Sequence, residues 1–456
     1  MHKFDRDDEF LAEELLGYAM ARMRRDPPPL DHSETLEALQ ERAGVSITPE
    51  GIGSNAAFFT FSSVLAKACI SVDHPRFFAF VPGAPTDASV LFDLVVSASN
   101  IYGGSWLEGS GVVYAENEAL RWIADIAGFP SEAGGVFVSG GTAGNLSALI
   151  AARHRWRERA NGKHDTTRGL MIAAYSAHSS VVQAARVMDC DVVRVPYEKY
   201  GILTADGLRE TLAGLSDHDR DRVFAVVSSG GSTNAGLVDE LGQIADVCEE
   251  HGIWQHVDGA YGCAALASHK KRPFFSGIER ADSFIVDPHK WLFGPFDCCA
   301  LIYRDPSVAK RAHTQSAAYL DVLHGDDDGE WNPSDYAHHL SRRARGLPVW
   351  FSLATYGTNA YSDAIDVTLE VTLAGADRIR EAEHLDLILE PELSILLFRR
   401  KGWDEKQYEA WCEQMLKRGK AFITPTKWEG ETVLRLCIVN PRTTVEDIEL
   451  VIRELV

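Results

Sequence analysis

The sequence predicts an α/β fold: a mostly parallel central sheet covered by helices, followed by a smaller C-terminal α+β domain. Between about residues 135 and 303 short apolar runs recur: GVFVSGG, LMIAAY, DVVRVP, FAVVSSGG, IWQHVDGAYG, SFIVDP and CCALIYRD. Helical segments at 143–160, 178–189 and 239–251 separate several of them. Strands alternating with helices imply right-handed crossovers and parallel pairing. Beyond residue 347, long helical stretches lead into LDLILEP, LSILLFRR, an amphipathic helix near 404–418, VLRLCIVN and a final helix capped at Thr444.

The chain has 456 residues, 45% of them hydrophobic, and a formal charge of -21. That length supports a large α/β domain with appendages. The acidic balance argues against nucleic acid as a partner, because phosphate backbones need clustered Lys and Arg. The start, MHKFDRDDEF, is too charged for a secretory leader, and no apolar run reaches membrane-spanning length, so a cytoplasmic enzyme is expected. The eight cysteines lack C-x-x-C spacing, which indicates neither a metal site nor a disulfide framework, and Cys298 and Cys299 read as part of a buried strand.

Ahead of the sheet, Phe10, Leu11, Leu15, Leu16 and Met20 recur at helical spacing over residues 6–25. A second helix follows PPPL, with Asp31 and Glu34 as its cap and Gly44 as its stop. Two amphipathic helices without a sheet must bury their apolar faces on the main domain or on a second subunit. The expected division is an N-terminal helical segment over 1–86, a large domain over 87–346 and a small domain over 347–456. Within 313–346 the run HGDDDGEWNP has loop composition, and a loop of that length in an enzyme reads as a lid or a link.

Four unusual features fall at strand ends, where ligands bind in such sheets. The run 139-SGGTAGN-145 opens a helix, and its backbone amides suit an anion; an ordinary strand-to-helix turn reads the same way. His178 in YSAHSS fits a cap or a packed ring, Asp258 in HVDGAYG fits a turn aspartate, and Lys290 in DPHKW fits a snorkelling surface lysine. Together they compose a different set. A glycine-lined helix start could hold a phosphate, a carboxylate could keep a ring nitrogen protonated, an imidazole could cover the ring, and a lysine amine could form an imine. Those are the parts pyridoxal phosphate requires. A nucleotide-binding protein is disfavoured, because no full G-x-x-x-x-G-K-[ST] or G-x-G-x-x-G match is present.

In order along the chain, HPRFFAF, YSAHSS, HVDGAYG and DPHKW resemble the pyridoxal-phosphate-dependent amino-acid decarboxylases that include aromatic-L-amino-acid and glutamate decarboxylases. The resemblance runs from about residue 70 to 350. It implies an aspartate-aminotransferase-like fold worked by a homodimer whose N-terminal helices wrap the partner. It also implies Lys290 as the Schiff-base lysine, Asp258 opposite the pyridinium, His178 stacked on the ring and Ala260 beneath it. Gly141, Thr142 and Ser232 would contact the phosphate or ring substituents, with His289 close to the imine. Tyr319 of SAAYLDV matches a loop tyrosine that supports proton delivery to Cα; relatives that form aldehydes often carry phenylalanine there.

Three departures accompany the match. Asp287 replaces an asparagine near the phosphate, Gly83 replaces a threonine near the substrate, and Gly104 falls near an aromatic that shapes the side-chain pocket. Phe80, Trp106 and Phe296 remain as candidate apolar walls. Arg342, Arg343 and Arg345 match a basic cluster that reads equally as solvated or interface charge. The expected reaction is decarboxylation of an L-amino acid with an aromatic or bulky side chain to the amine. The alternatives are aldehyde formation by oxidative deamination and a cofactor-binding homologue without turnover.

Overall fold

The computed structural model describes every residue except Met1, Lys3, 197–198 and 317–329. A seven-stranded sheet forms the large domain from β1 (Gly134–Val138), β2 (Leu170–Ala173), β3 (Asp191–Arg194), β4 (Val223–Ser229), β5 (Trp254–Asp258), β6 (Ser283–Val286) and β7 (Cys299–Tyr303). Their order is β1-β7-β6-β5-β4-β2-β3, parallel throughout except for β7, which runs against both neighbours. Strands β2, β6 and β7 are buried along their whole length, as the continuous apolar runs require of a sheet covered on both faces.

Register decides what meets at the sheet's edge. Ser229 pairs with Asp258, and Asp258 with Ile285, so the chain leaves β4, β5 and β6 at one level. The exits Gly230–Gly231, Gly259–Ala260 and Asp287–Lys290 are therefore neighbours. β1, parallel to these strands, delivers the start of the helix Gly141–Arg159 to the same edge.

The smaller sheet is antiparallel, ordered β10-β11-β9-β8, with β8 Leu385–Leu387, β9 Ile395–Arg400, β10 Pro425–Trp428 and β11 Glu431–Cys437. The helices Thr358–Glu381, Glu405–Lys417 and Val445–Arg453 share a core with this sheet that includes Ile379, Leu396, Phe398, Met415, Leu434 and Ile448. Capping boxes at Asp404/Gln407 and Thr444/Asp447 set where the last two helices begin. Sequence periodicity reads the amphipathic 404–418 segment and the Thr444 cap, and overlooks β10, a short strand opened by Pro425.

The N-terminal helix Arg6–Met23 is capped by Asp5 and buries none of its residues within the chain, leaving Phe10, Leu15 and Leu16 about half exposed. The second helix begins at Leu36 rather than near Asp31. Thr35 caps it through the Ala38 amide, whereas Asp31 sits at φ 54° in the approaching loop. Gly44 ends it, as expected. Of the segment 313–346, expected as a lid or link, residues 317–329 and with them Tyr319 lie outside the described residues, whereas 332–337 are buried around the short helix Pro333–Asp335. Among the described residues no helix is long and apolar enough to cross a membrane, and no cluster of metal-ligating side chains is present. All eight cysteines are unbridged, with Cys298 and Cys299 fully buried.

Candidate active site

A cavity of about 300 Å³ opens at the strand exits. Its walls include Gly141, Thr142, His178, Ser232, Asp258, Ala260, His289 and Lys290, the eight positions singled out in the sequence for the cofactor. The floor is β5. Asp258 ends that strand, accepts the Ala260 amide at 3.2 Å on Oδ1 and the Asn145 side-chain N–H at 2.9 Å on Oδ2. Opposite, the helix Gly141–Arg159 starts without any side-chain cap; Gly140 O takes the amides of Ala143 and Gly144, which leaves those of Gly141 and Thr142, both on the cavity wall, for a ligand. A Cβ added at Gly141 would stand 3.1 Å from the Ala260 Cβ and 3.3 Å from Asp287 Oδ2, so only glycine leaves this corner open.

His178 caps the helix Ser179–Met188 with Nδ1 against the Ser180 amide at 3.2 Å, and its ring is exposed on the cavity. Ser232 accepts the Leu237 amide in the turn that follows β4. Arg435 of β11 donates to Thr233 O at 2.9 Å and Phe80 O at 2.6 Å, tying the small domain to the cavity wall.

Lys290 is held by Asp287, whose Oδ2 lies 2.8 Å from Nζ. Burial works against the ammonium, but the charge and hydrogen bond of Asp287, helped by Asp258, outweigh it and raise the lysine pKa. The anomalous Asp287 is thus paired, and its other oxygen, Oδ1, is buried without a hydrogen-bond partner among the described residues. Burial lowers the pKa of His289 against the opposing field of Asp287, which keeps the ring neutral. Its Nδ1 accepts the Cys298 amide at 3.1 Å, so the proton sits on Nε2, 3.5 Å from Asp287.

Phe80, Trp106 and Phe296 do not join this cavity. Phe80 packs against Phe422 at the domain junction with 62% of its surface exposed. Trp106 opens the helix Trp106–Ile126, its amide bound by Asn332. Phe296 lies 4.8 Å from the His289 ring, centroid to centroid, on a neighbouring cleft of about 810 Å³ lined also by Gly83, Phe293, Tyr356 and Tyr361. Gly104 leaves room for the Tyr102 ring, which a Cβ would meet at 2.4 Å. The arginine cluster divides: Arg342 is buried and bidentate to Glu116 at 2.6 and 2.8 Å, Arg343 pairs with Asp93, and Arg345 pairs with Asp297.

Asn145, Ser180 and His256 fall within the quoted motifs without a role of their own, yet Asn145 bonds Asp258 directly and Ser180 and His256 both bond Asn145. Their signal was available. His256 and Asp258 are two apart on a strand and share a face, while Asn145 lies one helical turn beyond Gly141.

The model of the "Pyridoxal-dependent decarboxylase conserved domain" matches residues 53–401. The chain belongs to the pyridoxal-dependent decarboxylase family. It is 30% identical over 428 residues to the aromatic-L-amino-acid decarboxylase of Bacillus atrophaeus, covering 91% of this chain and 88% of the relative. It is 26% identical over 434 residues to the L-2,4-diaminobutyrate decarboxylase of Acinetobacter baumannii, covering 90% and 85%. In fold it matches Oryza sativa TDC, solved with PLP and tryptamine, at a TM-score of 0.91 and 23% identity, covering 100% of this chain and 99% of that one. The protein is therefore a pyridoxal-phosphate-dependent amino-acid decarboxylase. Three features suit that cofactor: the uncapped helix start, the open corner at Gly141, and a lysine and a carboxylate on one cavity.

Proposed function

We propose that this decarboxylase acts on an L-amino acid with an aromatic or otherwise bulky apolar side chain and releases the amine and carbon dioxide. Lys290, Asp258 and the uncapped helix start on one cavity carry the proposal, because they provide a tether, a counter-charge and an anion site on three sides of the same space. Bound pyridoxal phosphate supplies an electron sink for the bond to the leaving carboxylate. Gly141, Thr142 and Ser232 would hold its phosphate, Asp258 would face the ring nitrogen, and His178 and Ala260 would cover the two ring faces. Lys290 would tether the cofactor at its aldehyde carbon, and Asp287 Oδ2, 2.8 Å from Nζ, would hold the proton that the ammonium gives up. His289, neutral and protonated on Nε2, would orient that carboxylate. Tyr319 would support return of a proton to the substrate Cα.

The choice of side chain is supported by the lining. Among the described residues the cavity wall has no arginine, and its one lysine is Lys290, which leaves no cation for a second carboxylate. The aromatic rings on the neighbouring cleft reach it at His289. Similarity to the Bacillus enzyme points the same way. We also propose a cytoplasmic homodimer, supported by the half-exposed apolar face of the helix Arg6–Met23.

The test is to incubate the cofactor-loaded protein with the standard amino acids, 2,4-diaminobutyrate and hydroxylated aromatic analogues. Carbon dioxide, amine, aldehyde and peroxide are measured together. Equal amounts of carbon dioxide and an aromatic amine are expected. Turnover confined to diaminobutyrate or an acidic amino acid, or aldehyde with peroxide, would overturn the proposal.

A further inference from the structure

The carboxylate of Asp258 is oriented by a chain of hydrogen bonds whose directions can be assigned. A carboxylate accepts only, so the amide of Asn145 must turn its nitrogen to Asp258. One amide hydrogen then goes to Asp258 Oδ2 at 2.9 Å and the other to Ser180 Oγ at 2.8 Å. With both used, Asn145 Oδ1 is left to accept, and it faces His256 Nε2 at 2.8 Å. His256 therefore carries its proton on Nε2. Burial, opposed by the field of Asp258, lowers its pKa to about 4, so at neutral pH the ring is uncharged and Nδ1 accepts from the Ser283 hydroxyl at 2.8 Å. Ser283 in turn accepts from Trp254 Nε1 at 2.9 Å.

Every bond from Trp254 through Ser283, His256 and Asn145 thus points its donor toward Asp258, and bonds in such a chain polarise one another. The second hydrogen of Asn145 serves the other side of the site. It occupies Ser180 Oγ, whose own hydroxyl is free to donate to His178 Nδ1 at 2.9 Å. A single amide therefore joins Asp258 to the imidazole on the same cavity.

We infer that Asn145 and His256 are positioning residues that fix the Asp258 carboxylate and the His178 ring for the cofactor, with His256 acting as a neutral Nε2–H donor. The inference rests on the reading above that Asp258 faces the ring nitrogen. A merely space-filling His256 would tolerate phenylalanine at least as well as glutamine. A donor role reverses that order, because glutamine keeps an N–H for Asn145.

The experiment reconstitutes the holoenzyme with pyridoxal phosphate labelled with ¹⁵N in the ring and records the nitrogen chemical shift and the cofactor dissociation constant. In Asn145→Leu and His256→Phe the shift moves toward the unprotonated value and the dissociation constant rises about tenfold, the loss of one charge-assisted hydrogen bond. His256→Gln stays near the parent protein. Equal behaviour of His256→Phe and His256→Gln overturns the inference. Unchanged signals in Asn145→Leu and His256→Phe beside a shifted one in Asp258→Asn overturn it alone, whereas an unchanged signal in Asp258→Asn overturns the Asp258 reading as well. Should His256→Phe not fold, ¹⁵N-histidine-labelled parent holoenzyme decides. The resonance missing from His256→Gln must come from a neutral ring protonated on Nε2, and a ring protonated on Nδ1 or on both nitrogens overturns the inference.

Discussion

At Lys290 two opposing effects act on one ammonium. Desolvation favours the neutral amine, and Asp287 at 2.8 Å favours the charged one and prevails. Capture of an aldehyde needs the neutral amine, so cofactor uptake by the apoenzyme is expected to speed up with rising pH. The gain is about tenfold per unit for as long as the pH stays below the lysine pKa. In Asp287→Asn the main raising partner is gone and burial remains, so the lysine pKa falls and uptake levels off at a lower pH. Stopped-flow absorbance across pH measures both. Lys290→Ala should fold, fail to retain the vitamin on that peptide after borohydride reduction, and lose about 10²–10⁴-fold in turnover. Of these residues the lysine and Asp258 were legible because each follows a strand run. Asp287 was noticed only as an oddity, since its role depends on the distance to Nζ.

Between elements, close backbone approach and one buried ion pair fix the geometry. Gly83 stands where a threonine was expected, and the backbone explains the glycine: a Cβ there would lie 2.3 Å from the carbonyl oxygen of His289. Gly83→Ala should push residues 82–84 away from the DPHKW turn. The expected cost is about 1–3 kcal/mol by urea denaturation, with turnover falling because Lys290 moves too. Arg342 and Glu116 join the segment after the loop to the helix Trp106–Ile126, and Glu116 Oε1 also accepts the Gly346 amide at 2.8 Å. Both side chains are buried, so Glu116→Ala leaves an unpaired guanidinium and should cost about 3–5 kcal/mol. Chemical denaturation of the apoenzyme measures it. In the sequence Arg342 was one of three similar arginines, and Glu116, 226 residues earlier, gave no sign of being its partner.

At the scale of the molecule, the apolar surface left by a single chain is concentrated on the N-terminal helices and on the helix Asp87–Ser99. Phe10, Leu15 and Leu16 are about half exposed there, as are Leu91, Leu94 and Val95. Association of two copies would remove such surface from water. The protein should sediment as a dimer, and Leu15→Glu with Leu16→Glu should weaken dimerisation by about 10²-fold or more, given about 1.5–3 kcal/mol for each leucine side chain buried. Analytical ultracentrifugation measures the change.

The sequence alone determined the alternation of strands and helices, the edge at which ligands bind, and the lysine, aspartate and histidine that line it. Those features follow from period and neighbour chemistry, which a linear chain displays. Tertiary structure decided which partners hold those groups. Asp287 neutralises Lys290, Asn145 reaches Asp258 across 113 positions, and Arg342 meets Glu116 rather than a ligand. Tertiary structure also set Phe80 and Trp106 apart from the lysine's cavity. Distances of a few ångströms between remote residues are set by strand register and helix packing, and no local pattern encodes them.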